Sequence, residues 1–460
     1  MSAENTITKT VWQYSGPLSG ETMEILRGIA LDYGKVKKYV YNRYSGIGSL
    51  DRLTPAFDIM KEVRESGIRT ELGLPSAYFS PAVVDAVSDI KTMWGMLKNK
   101  LRTLITANEN LSGDDRMYLR TVLKLDNIYA AVLNRREYEI PKKAEGLAID
   151  VERLNNLLRR LTRRYLTKPE IAGTDYFSIA VSGYTYRDGS LFIASRKPGK
   201  RLEIPLKDGN VCNRQIRLCI RKEDVALALP VETKIRKHVD YHNTVYVHIG
   251  YRDMFTLSNG NVYGQSLGSM ASGETKRLED KNRNRAKIRT AYRRSMEAGD
   301  REKAEHIEAN NLGTEKYEKH KEKERAKTEA YINTEINRML EAEKPGRIVI
   351  ARPLTVGKTK LPSKAANRNM TRGFQGYVRE RLSYKCRIHS IELVEINSKG
   401  TGSVCSRCGA EGKRLPEGFR CPECGYEVPL SLNGARNIKN KYENKDVNKL
   451  GNKVEYDKNG

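Results

Sequence analysis

Nothing in this chain approaches the roughly 18 consecutive apolar residues that a membrane-spanning helix needs, which excludes a helical membrane protein. Its opening stretch, MSAENTITKTVWQYSG, lacks the apolar segment and small-residue cleavage site of a secretory signal, so a cytoplasmic location is expected. Cysteine is sparse: of seven, Cys212, Cys219 and Cys386 are scattered, a pattern of reduced thiols and not of a disulfide framework. The motifs G-x-x-x-x-G-K-[ST] and H-E-x-x-H are missing, which removes the phosphate-loop and zinc-protease chemistries. Acid is short as well. Against 83 Lys and Arg stand 57 Asp and Glu in 460 residues, a formal net charge of +26 with the basic residues spread over the whole length. An anionic membrane surface would call for one amphipathic anchor, whereas a dispersed surplus suits nucleic acid, bound through counterion release along many phosphates. The length allows two to four domains with real cores.

What is present begins with the other four cysteines. Cys405 and Cys408 form one C-x-x-C pair and Cys421 and Cys424 a second, with twelve residues between them. This is zinc-ribbon spacing. A glycine closes each turn, Gly409 and Gly425, so four thiolates can converge on one tetrahedral Zn²⁺ without strain.

Along the chain, TITKTVWQY at 6–14 reads as a strand, and Met23, Leu26, Ala30, Tyr33, Val36 and Tyr39 repeat as one helix face. Ser80 and Pro81 predict the start of a second helix with Val84, Val87, Ile90, Trp94, Leu97, Leu101 and Leu104 as its apolar stripe. A third helix follows from Asp114 to Val132, and a fourth from Asp150 exposes Arg159, Arg160, Arg163, Arg164 and Lys168, a face suited to a phosphate backbone or simply to solvent. From Phe177 to Ile249 the period becomes that of strands, with 177–186 read as one strand and Asp188-Gly189 and Asp208-Gly209 as hairpin turns of a small barrel or sandwich. The strand at 6–14 is expected to join it. Next come a strand, turn and strand hinged at Asn259-Gly260, then two long charged helices over 275–311 and 315–343. The strand RIVIARPL, a helix, the strand HSIELVEI, the ribbon and a last helix complete the pattern, ahead of a Lys-, Asn- and Gly-rich tail expected to be disordered. His238 and His242 have the i, i+4 spacing of a metal pair, with no third ligand in view.

The motifs CSRCG and CPECG followed by LNGARNI, preceded by LSYKCRIHSIELVEI and an RIVI strand, resemble the RuvC-like nuclease half of TnpB proteins and of the compact type V CRISPR effectors. The resemblance implies a multidomain α+β protein. It would comprise a split β-barrel wedge domain (1–20 and 169–240) around an inserted helical recognition lobe (21–168). An RNase H-like (RuvC) α/β domain (241–402 and 431–440) would follow, with a helical hairpin at 275–343 and an interrupting zinc ribbon (403–430), before a disordered tail (441–460). In that family three carboxylates at strand ends hold two Mg²⁺ ions. The matching positions here are His248, Ala351 and Ser431, with Arg352 beside the second. An imidazole, a methyl and a hydroxyl cannot supply the anionic oxygens that a hard cation needs.

The expectation is therefore a non-enzyme: a nuclease-inactive RNA-guided DNA-binding protein that forms an R-loop beside a short duplex motif and represses transcription. It would carry structural Zn²⁺ and no catalytic Mg²⁺. Its partners would be a guide RNA and double-stranded DNA, in the nucleoid of a prokaryotic cell; one copy or a homodimer per RNA, and a transcription or transposition partner, are left open. Arg159, Arg160, Arg163 and Arg164 would face the heteroduplex. Lys276, Arg277, Arg283, Arg285, Lys287, Arg289, Arg293 and Arg294 would lie against RNA or the loaded strand. Two alternatives stand beside this: an active endonuclease whose acids come from elsewhere in the chain, and a guide-independent zinc-ribbon nucleic-acid binder.

Overall fold

The computed structural model describes residues 6–53, 55–171, 175–352, 374–415 and 418–444, and the chain divides into two compact units at Thr8 and Thr233. The expectation of a disordered tail falls almost wholly outside the described residues.

In the first unit, β1 (Thr6–Tyr14) is followed by α1 (Gly20–Tyr44), α2 (Ala56–Glu65), the single turn α3 (Ile68–Glu71), α4 (Ser76–Ala107), α5 (Gly113–Lys124), α6 (Asp126–Asn134) and α7 (Val151–Tyr165). Helices α1 and α4 pack their apolar faces into one core, with Tyr33, Tyr44, Tyr78 and Phe79 buried. Burial of tyrosine leaves a hydroxyl to satisfy, and Tyr33 donates to Asp85 at 2.7 Å and Tyr44 to Glu62 at 2.5 Å. Helix α4 begins before Ser80, so Pro81 lies inside it. Proline has no N–H, which frees the Ala77 carbonyl, and Ala180 N–H takes it at 2.9 Å. Val84 is exposed and Val83 takes the core position. Two helices, α5 and α6, stand where one was expected, divided at the extended Leu125.

Six strands follow: β2 (Tyr176–Ile179), β3 (Tyr184–Arg187), β4 (Ser190–Ala194), β5 (Arg201–Pro205), β6 (Ile216–Ile220) and β7 (Val225–Lys234). They form two sheets, ordered β1-β7-β6-β2 and β3-β4-β5. The single strand expected over 177–186 is two strands in different sheets. The break falls where Gly183 presses on Ala77, since a Cβ at 183 would stand 2.5 Å from the Ala77 Cβ. Asp188 and Gly189 both have positive φ and close the β3–β4 hairpin. Asp208-Gly209 closes no hairpin: the chain there leaves one sheet for the other, and Asp208 accepts from Gln13 Nε2 at 2.7 Å.

The second unit contains β8 (Asn243–Ile249), β9 (Phe255–Leu257), β10 (Val262–Tyr263), α8 (Leu267–Glu297), α9 (Arg301–Asn311), α10 (Glu315–Glu343), β11 (Pro345–Ala351), α11 (Gln375–Ile388), β12 (Glu392–Ile396), the short ribbon strands β13 (Lys413–Leu415), β14 (Gly418–Arg420) and β15 (Glu427–Val428), and α12 (Leu430–Glu443). Its main sheet is ordered β10-β9-β8-β11-β12, antiparallel up to β8 and parallel from β8 to β12. One face packs on α10 and α11 through Ile336, Leu340, Val378 and Leu382; the other packs on α12 through Tyr246, Val349 and Ile438. The first charged helix begins at Leu267, earlier than Thr275, and breaks at Gly299, whose φ of 76° ends α8 before Asp300 caps α9.

Candidate functional site

The ribbon is built from two equivalent turns. Gly409 N–H bonds to Cys405 O at 3.0 Å and Gly425 N–H to Cys421 O at 3.1 Å, and both glycines take the left-handed conformation. Each turn returns to its strand the same way, Cys405 N–H to Ala410 O and Cys421 N–H to Tyr426 O. The result brings Sγ of Cys405 to 3.7 Å from that of Cys424, and Sγ of Cys408 to 3.5 Å from that of Cys421. Zn–S bonds of about 2.3 Å at the tetrahedral angle put sulfurs about 3.8 Å apart, so the four thiols fit a structural zinc ion. Backbone N–H groups of Cys424 and Glu423 aimed at Cys421 lower its thiol to about 7, while Cys408, despite the Ala410 N–H, is pushed up to about 12 by its sulfur neighbours. Phe419 fills the ribbon's small core so tightly that a Cβ on Gly412 would stand 2.1 Å from its ring.

Three asparagines on one face of α12 hold the ribbon. Asn433 donates to Val404 O at 2.8 Å and accepts from Ser406 N–H at 2.9 Å. Asn437 donates to Thr401 O and Val404 O, and Asn440 to Ser406 O. The motif LNGARNI is thus a docking surface for the turn before the first cysteine pair.

The second feature is the carboxyl edge of β8, β11 and β12, the edge at which open parallel sheets bind ligands. Val247 lies opposite Ile350, which places His248 beside Ala351; the two-residue period puts both on the α12 face with Tyr246 and Val349. Ser431 lies in the first turn of α12, three residues before Gly434, where a Cβ would stand 2.9 Å from His248 Nδ1. The register therefore sets His248 beside Ala351, and Ser431 stands one helical turn before the point at which α12 meets His248. Burial, with Arg379 and Arg414 nearby, lowers the His248 pKa and holds the imidazole neutral. Arg379 of α11, absent from the sequence expectations, reaches over this edge: Nη2 donates to Ala351 O at 3.1 Å, and Nε and Nη1 are buried with no hydrogen-bond partner among the described residues. The nearby acid is Glu395 of β12, 3.7 Å from Arg352 Nε and 4.0 Å from Arg379 Nη1. Among the described residues, three or more His, Cys, Asp or Glu side chains converge at the four cysteines and at Glu274, His320 and Glu324, and not at this edge.

The basic residues divide by environment. Arg160, Arg163 and Arg164 are exposed on α7, but Arg159 donates to Val132 O at 3.0 Å and ties α7 to α6. Lys276, Arg283, Lys287, Arg289, Arg293 and Arg294 are exposed on α8, while Arg277 grips Glu274 and Arg285 donates to Leu312 O at 2.5 Å. His238 and His242 do not pair, because 238–242 is a turn and not a helix; His238 Nε2 instead lies 2.7 Å from His389 Nδ1. A separate cleft of about 820 Å³ in the first unit contains Lys37, whose burial would lower its pKa but whose hydrogen bonds to Asp89 and Tyr176 raise it. No described helix is long and apolar enough to cross a membrane.

Residues 376–438, which run from α11 through the ribbon to α12, match the family model described as Cas12f1-like, TNB domain. Over 64 residues the chain is 34% identical to the CRISPR-associated endodeoxyribonuclease Cas12f1 of Sulfoacidibacillus thermotolerans, a match that spans 13% of this chain and 15% of that protein. Among solved structures, a Cas12f1–sgRNA–target DNA complex is 14% identical over 95% of this chain and 100% of that chain, with a TM-score of 0.27. The mini-RNA-guided endonuclease CRISPR-Cas phi3 is 12% identical over 95% and 93% of the two chains, with a TM-score of 0.47. The sequence likeness to the Cas12f1-like TNB domain is thus confined to residues 376–438, and the match to Cas12f1 spans less than a fifth of either chain.

Proposed function

We propose that this chain is an RNA-guided DNA-binding protein that occupies a guide-specified target beside a short duplex motif without cutting it, with transcriptional repression as the outcome. The observation that carries the reading is the strand-end edge. If the main sheet is RuvC-like, the positions that would hold two Mg²⁺ ions are a neutral imidazole, a methyl and a hydroxyl, beside a half-buried arginine with two donors that have no hydrogen-bond partner among the described residues. Two hard divalent cations need several anionic oxygens, and a cation already occupies the approach. Residues 353–373, which follow β11, contain no Asp or Glu that could substitute. The formal charge of +26 and the exposed arginines of α7 and α8 support binding to a long polyanion.

The test is a binding and cleavage assay on the protein purified with its own RNA, whose sequenced variable end supplies the target. Retarded, intact target DNA in Mg²⁺ is the expected result; cut target overturns the reading. Glu395 favours one competing reading, an endonuclease with relocated acids, in which Glu395→Gln would abolish any cutting observed.

A further inference from the structure

We propose that Glu274, His320 and Glu324 form a second metal site, which takes a divalent transition ion of zinc's class and pins α8 to α10. Glu274 stands on α8; His320 and Glu324 stand on α10 at the i, i+4 spacing that sets two side chains on one face. Nε2 of His320 lies 3.6 Å from Glu274 Oε2 and 3.9 Å from Glu324 Oε1, and the three ligand atoms all fall within 4.8 Å of one another. These separations suit ion pairs but are too long for good hydrogen bonds; the His320 side chain is a third exposed, yet its Nε2 atom is covered and has no hydrogen-bond partner among the described residues. Ligands held about 2.0–2.2 Å from a tetrahedral ion lie about 3.4 Å apart. The gap between the three side chains therefore has the dimensions of an ion, not of a shared proton.

Arg277 clamps the Glu274 carboxylate with Nε and Nη2, each at 2.7 Å, which orients the ligand as outer-shell partners do. It also offsets one negative charge, and Lys321 and Arg325 stand near, so the site is weaker than four thiolates. Glu274 and Glu324 border a cavity of about 300 Å³ walled by Met270, Leu278, Tyr317 and Phe374. That space gives room for the water or outside ligand that completes the coordination.

The test counts metal in the full-length protein. After saturation with Zn²⁺ and removal of excess by gel filtration, mass spectrometry should find two zinc ions per chain in the wild type and one in His320→Ala and in Glu324→Gln. The glutamine variant keeps side-chain volume and helix propensity, so its loss of metal is not a loss of fold. One zinc per chain in the wild type, or two in both variants, overturns the proposal. Cobalt gives an independent reading: the first equivalent, on thiolates, brings intense sulfur-to-metal charge transfer, and the second should add only weak d–d absorption. A second equivalent that carries thiolate charge transfer is equally fatal to the idea.

Discussion

Arg379 donates one N–H to the Ala351 carbonyl at 3.1 Å and, among the described residues, leaves its Nε and Nη1 without hydrogen-bond acceptors, at the edge where His248 stands beside Ala351. Burial of this guanidinium lowers its pKa, an effect that the Glu395 carboxylate 4.0 Å away opposes only in part. New anions at this edge would give those donors partners. The triple variant His248→Asp, Ala351→Glu, Ser431→Asp is therefore expected to fold and to acquire Mg²⁺-dependent cleavage of guided target. Each single variant should cut nothing, because one carboxylate cannot hold two hard cations. A triple variant that still binds target yet never cuts it in Mg²⁺ would show that these are not the acid positions.

His248 predicts a direction of pH dependence. Its pKa is depressed below the ordinary 6.5 by burial first, then by Arg379 and Arg414. The unfolded chain therefore binds a proton more readily than the folded one, and stability rises with pH through that window. The contribution is complete above about pH 6.5 and is lost as pH falls toward the folded-state value. His389 is depressed too, by burial, His238, Lys385 and Arg236, and acts in the same sense. Melting temperatures measured at pH 7.5 and 5.5 should fall further for the wild type than for His248→Gln. Equal falls would mean that His248 is already protonated in the folded chain.

Asn433 is fully buried and bridges Val404 O and Ser406 N–H. Replacing it with alanine orphans the Ser406 N–H, while Val404 O keeps its bond from Asn437, a cost of about 1–3 kcal/mol. The loss falls on the ribbon's attachment, so thiolate-bound zinc should pass to a chelator faster in Asn433→Ala at unchanged stoichiometry. Release at the wild-type rate would mean that the ribbon holds its shape without α12.

How legible these features were depends on how local their causes are. The cysteine turns need only four thiols, two glycines and their spacing, all of which the chain displays. Strand 6–14 was equally plain, since β-branched and aromatic residues ended by Gly16-Pro17 decide it locally. Pro81 misled because its missing N–H is compensated by a carbonyl taken by Ala180, about a hundred residues away. The same contact divided 177–186 into two strands. Arg379 left no signal: beside Val378 in an amphipathic helix it reads as an ordinary solvated arginine, and only the β11 register brings Ala351 to it. The Glu274 and His320 pairing was likewise invisible, because it depends on how two charged helices fold back on each other.

The basic helices, finally, separate exposed arginines, free to meet phosphate under the proposed function, from arginines that hold the fold. Arg163 and Arg289 are exposed, so each should contribute one released counterion on binding. Replacing either with alanine is expected to reduce the slope of log affinity against log salt by about 0.7–0.9. Arg159 and Arg285 carry the same charge but spend it on Val132 O and on Leu312 O. Their alanine variants should leave the slope nearly unchanged and instead cost about 1–3 kcal/mol of stability, as a carbonyl loses a charged donor. Nucleic-acid titrations from 50 to 300 mM salt, with denaturant melts of the same four variants, check both halves. A slope change in Arg159→Ala as large as that in Arg163→Ala would place the phosphates on the whole arginine face of α7, and the division drawn from hydrogen bonding would fall.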